Sequence, residues 1–217
     1  MDIKIEDDYC DKEVFKELKK LFADTYFPWY FYQNTLTENT SPPNWFSNAD
    51  KDKLMDIKIE DDYCDKEVFN ELKELYSNHN YFPWYYHKNK TVDPDDGLYQ
   101  FVHVFYEINA PTSSWFPIAE KVLASKNPIY VRIKANLQPD TGRGAKSPFH
   151  TDMALFPGHT TSILYMNTNN GYTTFEESGQ KIESVENRLV TFPSHLRHGS
   201  IESTDLPRIV MNFNYYG

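Results

Sequence analysis

The run SHLRHGSIESTDLPRIVMNF, residues 194–213, decides how the chain is read. Two extended segments, one at Ser194–Ser200 and one at Pro207–Phe213, flank the polar stretch Glu202–Asp205. That pattern predicts a β-hairpin. With its turn centred near Ser203, His198 and Arg208 are expected to face each other on one side of the ribbon, about 5 Å apart at Cβ. A slip of one residue would turn them to opposite faces. His195 lies three residues before His198, so its strand parity is opposite and it is predicted to point away.

Upstream, Phe149-His150-Thr151-Asp152 places an imidazole and a carboxylate at i and i+2, the same face of an extended chain. With seven histidines in the chain, this spacing alone says little. Its weight comes from His198. Two imidazoles and one carboxylate occupy one face of an octahedron and leave three positions open, as in non-haem Fe(II) oxygenases. The same set with an open position also suits a zinc hydrolase. Arg208 disfavours the hydrolase, because a planar, permanently charged side chain beside the metal fits the distal carboxylate of a keto acid such as 2-oxoglutarate.

From residue 98 onward the sequence breaks into short β-rich runs: LYQFVHVFYEI, IYVRIKANL, TTSILYMN, NRLVTFP and PRIVMNFNY, with one helical stretch, WFPIAEKVLASK. Valine, isoleucine, threonine and aromatics dominate, punctuated by Gly, Pro, Asn and Asp, which predicts a sandwich, barrel or jelly roll. A glycine-rich phosphate loop is missing, which lowers the case for nucleotide folds.

The N-terminal part carries a repeat: MDIKIEDDYCDKEVF, residues 1–15, recurs unchanged at 55–69. Two copies are too few for a solenoid. Residues 1–54 therefore read as a partial duplicate plus linker, and 55–217 as the complete unit. In each copy the apolar positions Val14, Leu18, Leu21, Phe22 and Val68, Leu72, Leu75, Tyr76 follow helical spacing behind Asp11 and Asp65 at the N-cap. The second helix is expected to pack on the β domain, and the following Tyr81-Phe82-Pro83-Trp84-Tyr85 to plug its core. Cys10 and Cys64 read as reduced thiols.

A net charge of −10 argues against nucleic acid as a partner. No window approaches the roughly 18 apolar residues of a membrane span. The acidic start has no signal-peptide pattern, so the expected setting is cytoplasmic, in a bacterium or a phage-infected host.

The strand from Arg132, the His150/Asp152 pair, the strand from Thr161, GYTTF from Gly171, ENRLVTF from Glu186, Arg197-His198-Gly199-Ser200 and RIVMNF from Arg208 follow one another as they do in a known family. Over residues 98–217 the chain resembles the Fe(II)/2-oxoglutarate-dependent dioxygenases, in particular small prolyl-4-hydroxylase-like members of bacteria and phages. The resemblance implies a mainly β fold, a double-stranded β-helix (jelly roll) with flanking N-terminal α-helices. It implies His150, Asp152 and His198 as metal ligands and Arg208 as the co-substrate anchor, with Asn136 and Tyr165 helping to hold the co-substrate. Where some relatives carry a hydroxyl two residues past that arginine, this chain has Val210, so Tyr130, Thr173 or Ser200 is expected to complete the pocket.

The implied cofactors are Fe(II), 2-oxoglutarate as co-substrate and O2, with ascorbate as an accessory reductant. The implied reaction is hydroxylation of a C–H bond in a peptidyl, prolyl-like or small-molecule substrate, with release of succinate and CO2. Asp152, where a halogenase has a small residue, favours hydroxylation. A catalytically silent jelly-roll module remains the rival from another class. His159 is expected in a solvent-exposed loop, and His79, His87 and His103 as structural or exposed residues. Specificity is expected in loops 138–148 and 153–160.

Overall fold

The computed structural model describes residues 56–77, 82–88, 98–152 and 158–217. All of them fall within one compact unit, Asn44–Gly217. The first repeat copy, the linker, Cys10 and His79 lie outside the described residues.

In chain order the elements are β1 (Lys58–Glu60), α1 (Lys66–Ser77), β2 (Tyr85–His87), β3 (Gln100–Glu107), β4 (Ala110–Pro111), α2 (Phe116–Glu120), a 3₁₀ turn (Lys121–Lys126), β5 (Ile129–Gln138), β6 (Thr160–Tyr165), β7 (Tyr172–Phe175), β8 (Lys181–Glu183), β9 (Leu189–Pro193), β10 (His198–Ile201) and β11 (Arg208–Tyr216). The major sheet runs β1-β9-β6-β11-β5-β3-β2, with β4 paired to β3, and the minor sheet runs β10-β7-β8. Every pairing is antiparallel. Two such sheets facing each other make the expected jelly roll.

Residues 194–213 do not form the predicted hairpin. β10 pairs with β7 in the minor sheet, while β11 lies between β5 and β6 in the major sheet. The connection between β10 and β11 crosses from one sheet to the other, and its Glu202 and Ser203 are buried rather than exposed at a turn. His198 has a different cross-strand partner. It stands opposite His150, and the two residues exchange both backbone hydrogen bonds, at 3.0 and 2.9 Å.

The two sides of β11 feed two cores. Ile163, Tyr165, Phe175, Val190, Phe192 and Val210 pack between the sheets. On the outer side, Leu164, Leu189, Met211 and Phe213 meet Phe69, Leu72 and Tyr76 of α1 and Leu123 of the 3₁₀ turn. α1 thus covers the major sheet as expected, although Phe69 is buried where spacing had named Val68, which is only partly buried. Phe82 is buried against Tyr76 and Trp84, so this aromatic run does plug the core, while Tyr85 is exposed. Asn187 ties the start of the helix down: its side chain accepts from Cys64 N at 2.9 Å and donates to Cys64 O at 3.0 Å. Burial pushes the Cys64 thiol up to about 12, so it stays protonated.

Leu72 is fully buried at the centre of this contact. Leu72→Ala is expected to cost about 2–5 kcal/mol in urea unfolding. A loss under about 1 kcal/mol would mean that α1 does not share the sheet's core. Among the described residues, no helix is long and apolar enough to cross a membrane.

Candidate active site

The His150–His198 bridge brings the segment before Asp152 alongside the minor sheet. A second bridge, Lys146↔Ile201, and the bond from Ser200 N to Ser147 Oγ at 2.8 Å hold the segment there. Gly199 permits the approach, because a Cβ on it would lie 3.1 Å from the Ser147 carbonyl oxygen. The extended backbone stops at His150, and Asp152 sits in the turn that follows.

One ligand atom from each of His150, Asp152 and His198 can be chosen so that all lie within 4.8 Å of one another. Each imidazole is oriented by its own backbone: His150 Nδ1 lies 3.1 Å from Pro148 O, and His198 Nδ1 lies 3.2 Å from Leu196 O. A carbonyl only accepts, so both Nδ1 atoms carry the proton. The Nε2 lone pairs are therefore the ones available to a metal. His198 is buried, and that burial lowers its pKa, which keeps the ring neutral as a ligand must be.

Burial works against the charge of Asp152, but Arg132, His198, His150 and Lys134 outweigh it and hold the carboxyl well below the usual carboxylate range. Arg132 Nη2 is 3.5 Å from Asp152 Oδ1. Asp152 Oδ2 is buried without a hydrogen-bond partner.

Arg208 is only 2% exposed. Its Nε donates to Ser184 Oγ and its Nη2 to Thr173 Oγ1, both at 2.9 Å, and the guanidinium lies 5.3 Å from the Tyr165 ring centroid. Both hydrogen-bond partners are neutral hydroxyls. Among the described residues, no carboxylate pairs with it. The cluster of three and Arg208 line one cavity of about 360 Å³, together with Arg132, Lys134, Asn136, Thr173 and Ser200.

No protein-family model and no curated protein matches the chain. Solved structures do. An oxidoreductase of the 2-oxoglutarate-Fe(II) oxygenase family from Burkholderia pseudomallei superposes with a TM-score of 0.56 at 11% identity, over 73% of this chain and 84% of that one. A prolyl-4-hydroxylase from Pseudomonas putida gives 0.51 at 12% identity, over 75% and 94%. A prolyl hydroxylase from Trichoplax adhaerens, in complex with a peptide fragment of the hypoxia inducible factor oxygen degradation domain, gives 0.52 at 13% identity, over 74% and 83%. The fold is that of the 2-oxoglutarate/Fe(II) oxygenases.

Within this oxygenase fold the remaining sequence candidates separate clearly. Thr173 meets Arg208 directly, whereas Tyr130 OH donates to the Glu120 carbonyl at 3.1 Å and Ser200 Oγ accepts from Gln138 Nε2 at 3.2 Å. Asn136 lines the cavity, with its Oδ1 buried and unpartnered. Tyr165 does not line it: fully buried, it backs Arg208 and donates to Thr173 Oγ1 at 2.7 Å. His195 is exposed as expected, but it lies in the turn between β9 and β10 rather than on a strand, so alternation is not what turns it outward. His159 is buried, 3% exposed, which corrects its expected place at the surface; the strand end at Thr160 pulls it inward beside Tyr216. His103 is structural, its ring nitrogens 2.8 Å from Pro83 O and from Ser113 Oγ. Exposed His87 lines the cavity.

Sequence reasoning missed Arg132 and Lys134. Both project from β5 into the cavity, and Lys134, lowered to about 8 first by burial and then by Arg132, still keeps most of its charge at neutral pH. The signal was present in the strand IYVRIKANL: two cations at i and i+2 on an otherwise apolar run share one face.

Proposed function

We propose that the chain is a non-haem Fe(II)/2-oxoglutarate-dependent dioxygenase that hydroxylates a C–H bond of a peptidyl, prolyl-like or small-molecule substrate. Arg208 carries the reading. A buried guanidinium with no carboxylate is costly unless an anion joins it, and this one shares a cavity with a His-Asp-His cluster. An exogenous carboxylate next to a metal meets both needs.

The residues fit the group. His150 Nε2, His198 Nε2 and the Asp152 carboxylate would hold the iron: two oriented imidazoles and an ionised carboxylate, with one oxygen still unpartnered. Arg208 would grip the distal carboxylate of 2-oxoglutarate. Thr173 steadies that arginine and Tyr165 backs both, so Tyr165 acts through Arg208 rather than by touching the co-substrate. Asn136 offers its amide from the cavity wall. Iron with 2-oxoglutarate and O2 supplies the oxidising power, with succinate and CO2 released. The protein's part is to orient the ligands, neutralise the distal carboxylate and shelter the site. Residues 55–217 form the proposed catalytic unit, with 1–54 a partial duplicate and linker. The Pseudomonas putida and Trichoplax adhaerens prolyl hydroxylases among the structural neighbours make peptidyl proline a first substrate to test.

Fe(II) and 2-oxoglutarate added without oxygen are expected to give a visible charge-transfer band, and admission of oxygen to give succinate. Absence of both signals would sink the oxygenase. A band without succinate in any condition would indicate the silent module. Hydrolysis supported by zinc without 2-oxoglutarate would indicate the hydrolase.

A further inference from the structure

Part of the cavity wall offers groups that neither ligate the metal nor grip the co-substrate, although Arg132 Nη2 also lies 3.5 Å from Asp152 Oδ1. β5 turns alternate side chains inward there, Arg132 and Lys134 among them, and Asn212 stands opposite Lys134 in the β11–β5 register. Arg132 Nε and Asn212 Oδ1 are buried without a hydrogen-bond partner. Among the described residues, the Lys134 ammonium enters no ion pair within 4.0 Å. Polar groups kept in this condition at a cavity wall await a ligand or ordered water.

Charge narrows the ligand. Arg132, Lys134 and Arg208 line the cavity against two carboxylates, Asp152 and the exposed Glu107. Asp152 belongs to the metal set and Arg208 to the co-substrate. A divalent ion and a dianionic co-substrate cancel each other, so the surplus positive charge stays with Lys134 and Arg132. At about 360 Å³ the cavity is near the lower end of the range for ligand pockets, roughly 300–1,000 Å³, and it must also hold the metal and co-substrate.

Resting on the oxygenase reading of this same cavity, we propose that Lys134, with Arg132 and Asn212 beside it, is the subsite for a carboxylate on the substrate, which is a small organic acid. An internal prolyl residue offers only neutral carbonyls to this wall and leaves the ammonium without a counter-charge. A carboxylate neutralises it and accepts from the unpartnered Arg132 Nε, while Asn212 Oδ1, an acceptor, is left to a donor on the ligand or to water.

The test loads the full chain with Fe(II) and 2-oxoglutarate without oxygen and follows its melting temperature and visible band. The probes are N-acetyl amino acids, N-acetyl-L-proline included, each paired with its carboxamide; the acetyl group prevents chelation of the metal through a free amine. At least one acid is expected to shift the melting temperature and perturb the band where its carboxamide does not. Lys134→Met should weaken that acid about tenfold to a hundredfold, and Lys134→Arg should retain the preference. If the methionine variant does not fold, Lys134→Gln takes its place. The proposal is overturned if no acid binds, if acid and carboxamide bind alike, if the preference survives loss of the ammonium, or if an end-blocked proline peptide binds more tightly than every acid. A band without acid preference leaves the oxygenase standing and removes this subsite. A Lys134-dependent acid preference on a chain that shows no band does the reverse.

Discussion

His198→Ala is expected to abolish both the anaerobic visible band and succinate formation, while His195→Ala leaves both near the wild-type level. The two histidines are three residues apart but differ in environment: His198 is 3% exposed inside the cavity, and His195 is exposed on the surface. His198 also has its proton placed by the Leu196 carbonyl, so that Nε2 is the coordinating atom. Loss of a partner behind a metal ligand commonly costs about 10–100-fold in affinity or activity, and loss of the ligand itself should exceed that. The backbone bonds that bind β10 to His150 do not involve the side chain, so the sheet should survive the substitution. The ring does pack 4.9 Å from Phe192, centroid to centroid, and some stability will be lost with it. A melting curve checks that the variant is folded before its activity is read. Equal loss in the two variants would show that the metal is held elsewhere.

The choice of His198 over His195 was made before any coordinates, but for the wrong reason: it assumed one strand through both, whereas His195 lies in a turn and β10 starts at His198. Helical spacing marked α1 and its buried Leu72, and order along the chain marked the strands. Sheet partners were not legible. Glu202–Asp205 reads as a turn from composition, yet Glu202 and Ser203 are buried in a crossing between sheets. Nothing in residues 194–213 says that β10 belongs with β7 and β11 with β5 and β6, because pairing is chosen by which faces must be buried together. The hairpin was therefore wrong, and so was the cross-strand pairing of His198 with Arg208 that it implied. His198 and Arg208 line one cavity from two sheets. The same limit explains Thr173: three hydroxyl residues were named for the arginine, and only tertiary packing puts Thr173 at 2.9 Å. Arg132 was missed for a different reason, since its contact with Asp152 joins residues 20 apart in sequence whose strand and turn meet only in the fold.

Arg208→Met is expected to weaken 2-oxoglutarate binding by about 30-fold to 1,000-fold, in line with the roughly 2–4 kcal/mol lost when one member of a buried charged pair is removed. It should not lower the stability of the chain without ligands. Those two outcomes follow from one observation, a guanidinium at 2% exposure whose partners are the hydroxyls of Ser184 and Thr173. Without an anion the folded chain bears the desolvation of that charge, and a well-packed apolar side chain of similar reach relieves it. Thr173 keeps its bond from Tyr165, so the substitution leaves one hydroxyl, Ser184, short of a donor. With the anion present the sign reverses. A ligand at a hundred times its dissociation constant stabilises the wild-type chain by about 2.7 kcal/mol, and the methionine variant should gain almost none of this at the same concentration. Arg208→Lys should fall between, because an ammonium keeps the charge but loses the planar two-point grip. Melting curves with and without 2-oxoglutarate, in the presence of metal, read all of these values. If the methionine variant gains the full ligand-induced shift, the distal carboxylate lies elsewhere and Arg208 is a structural cation.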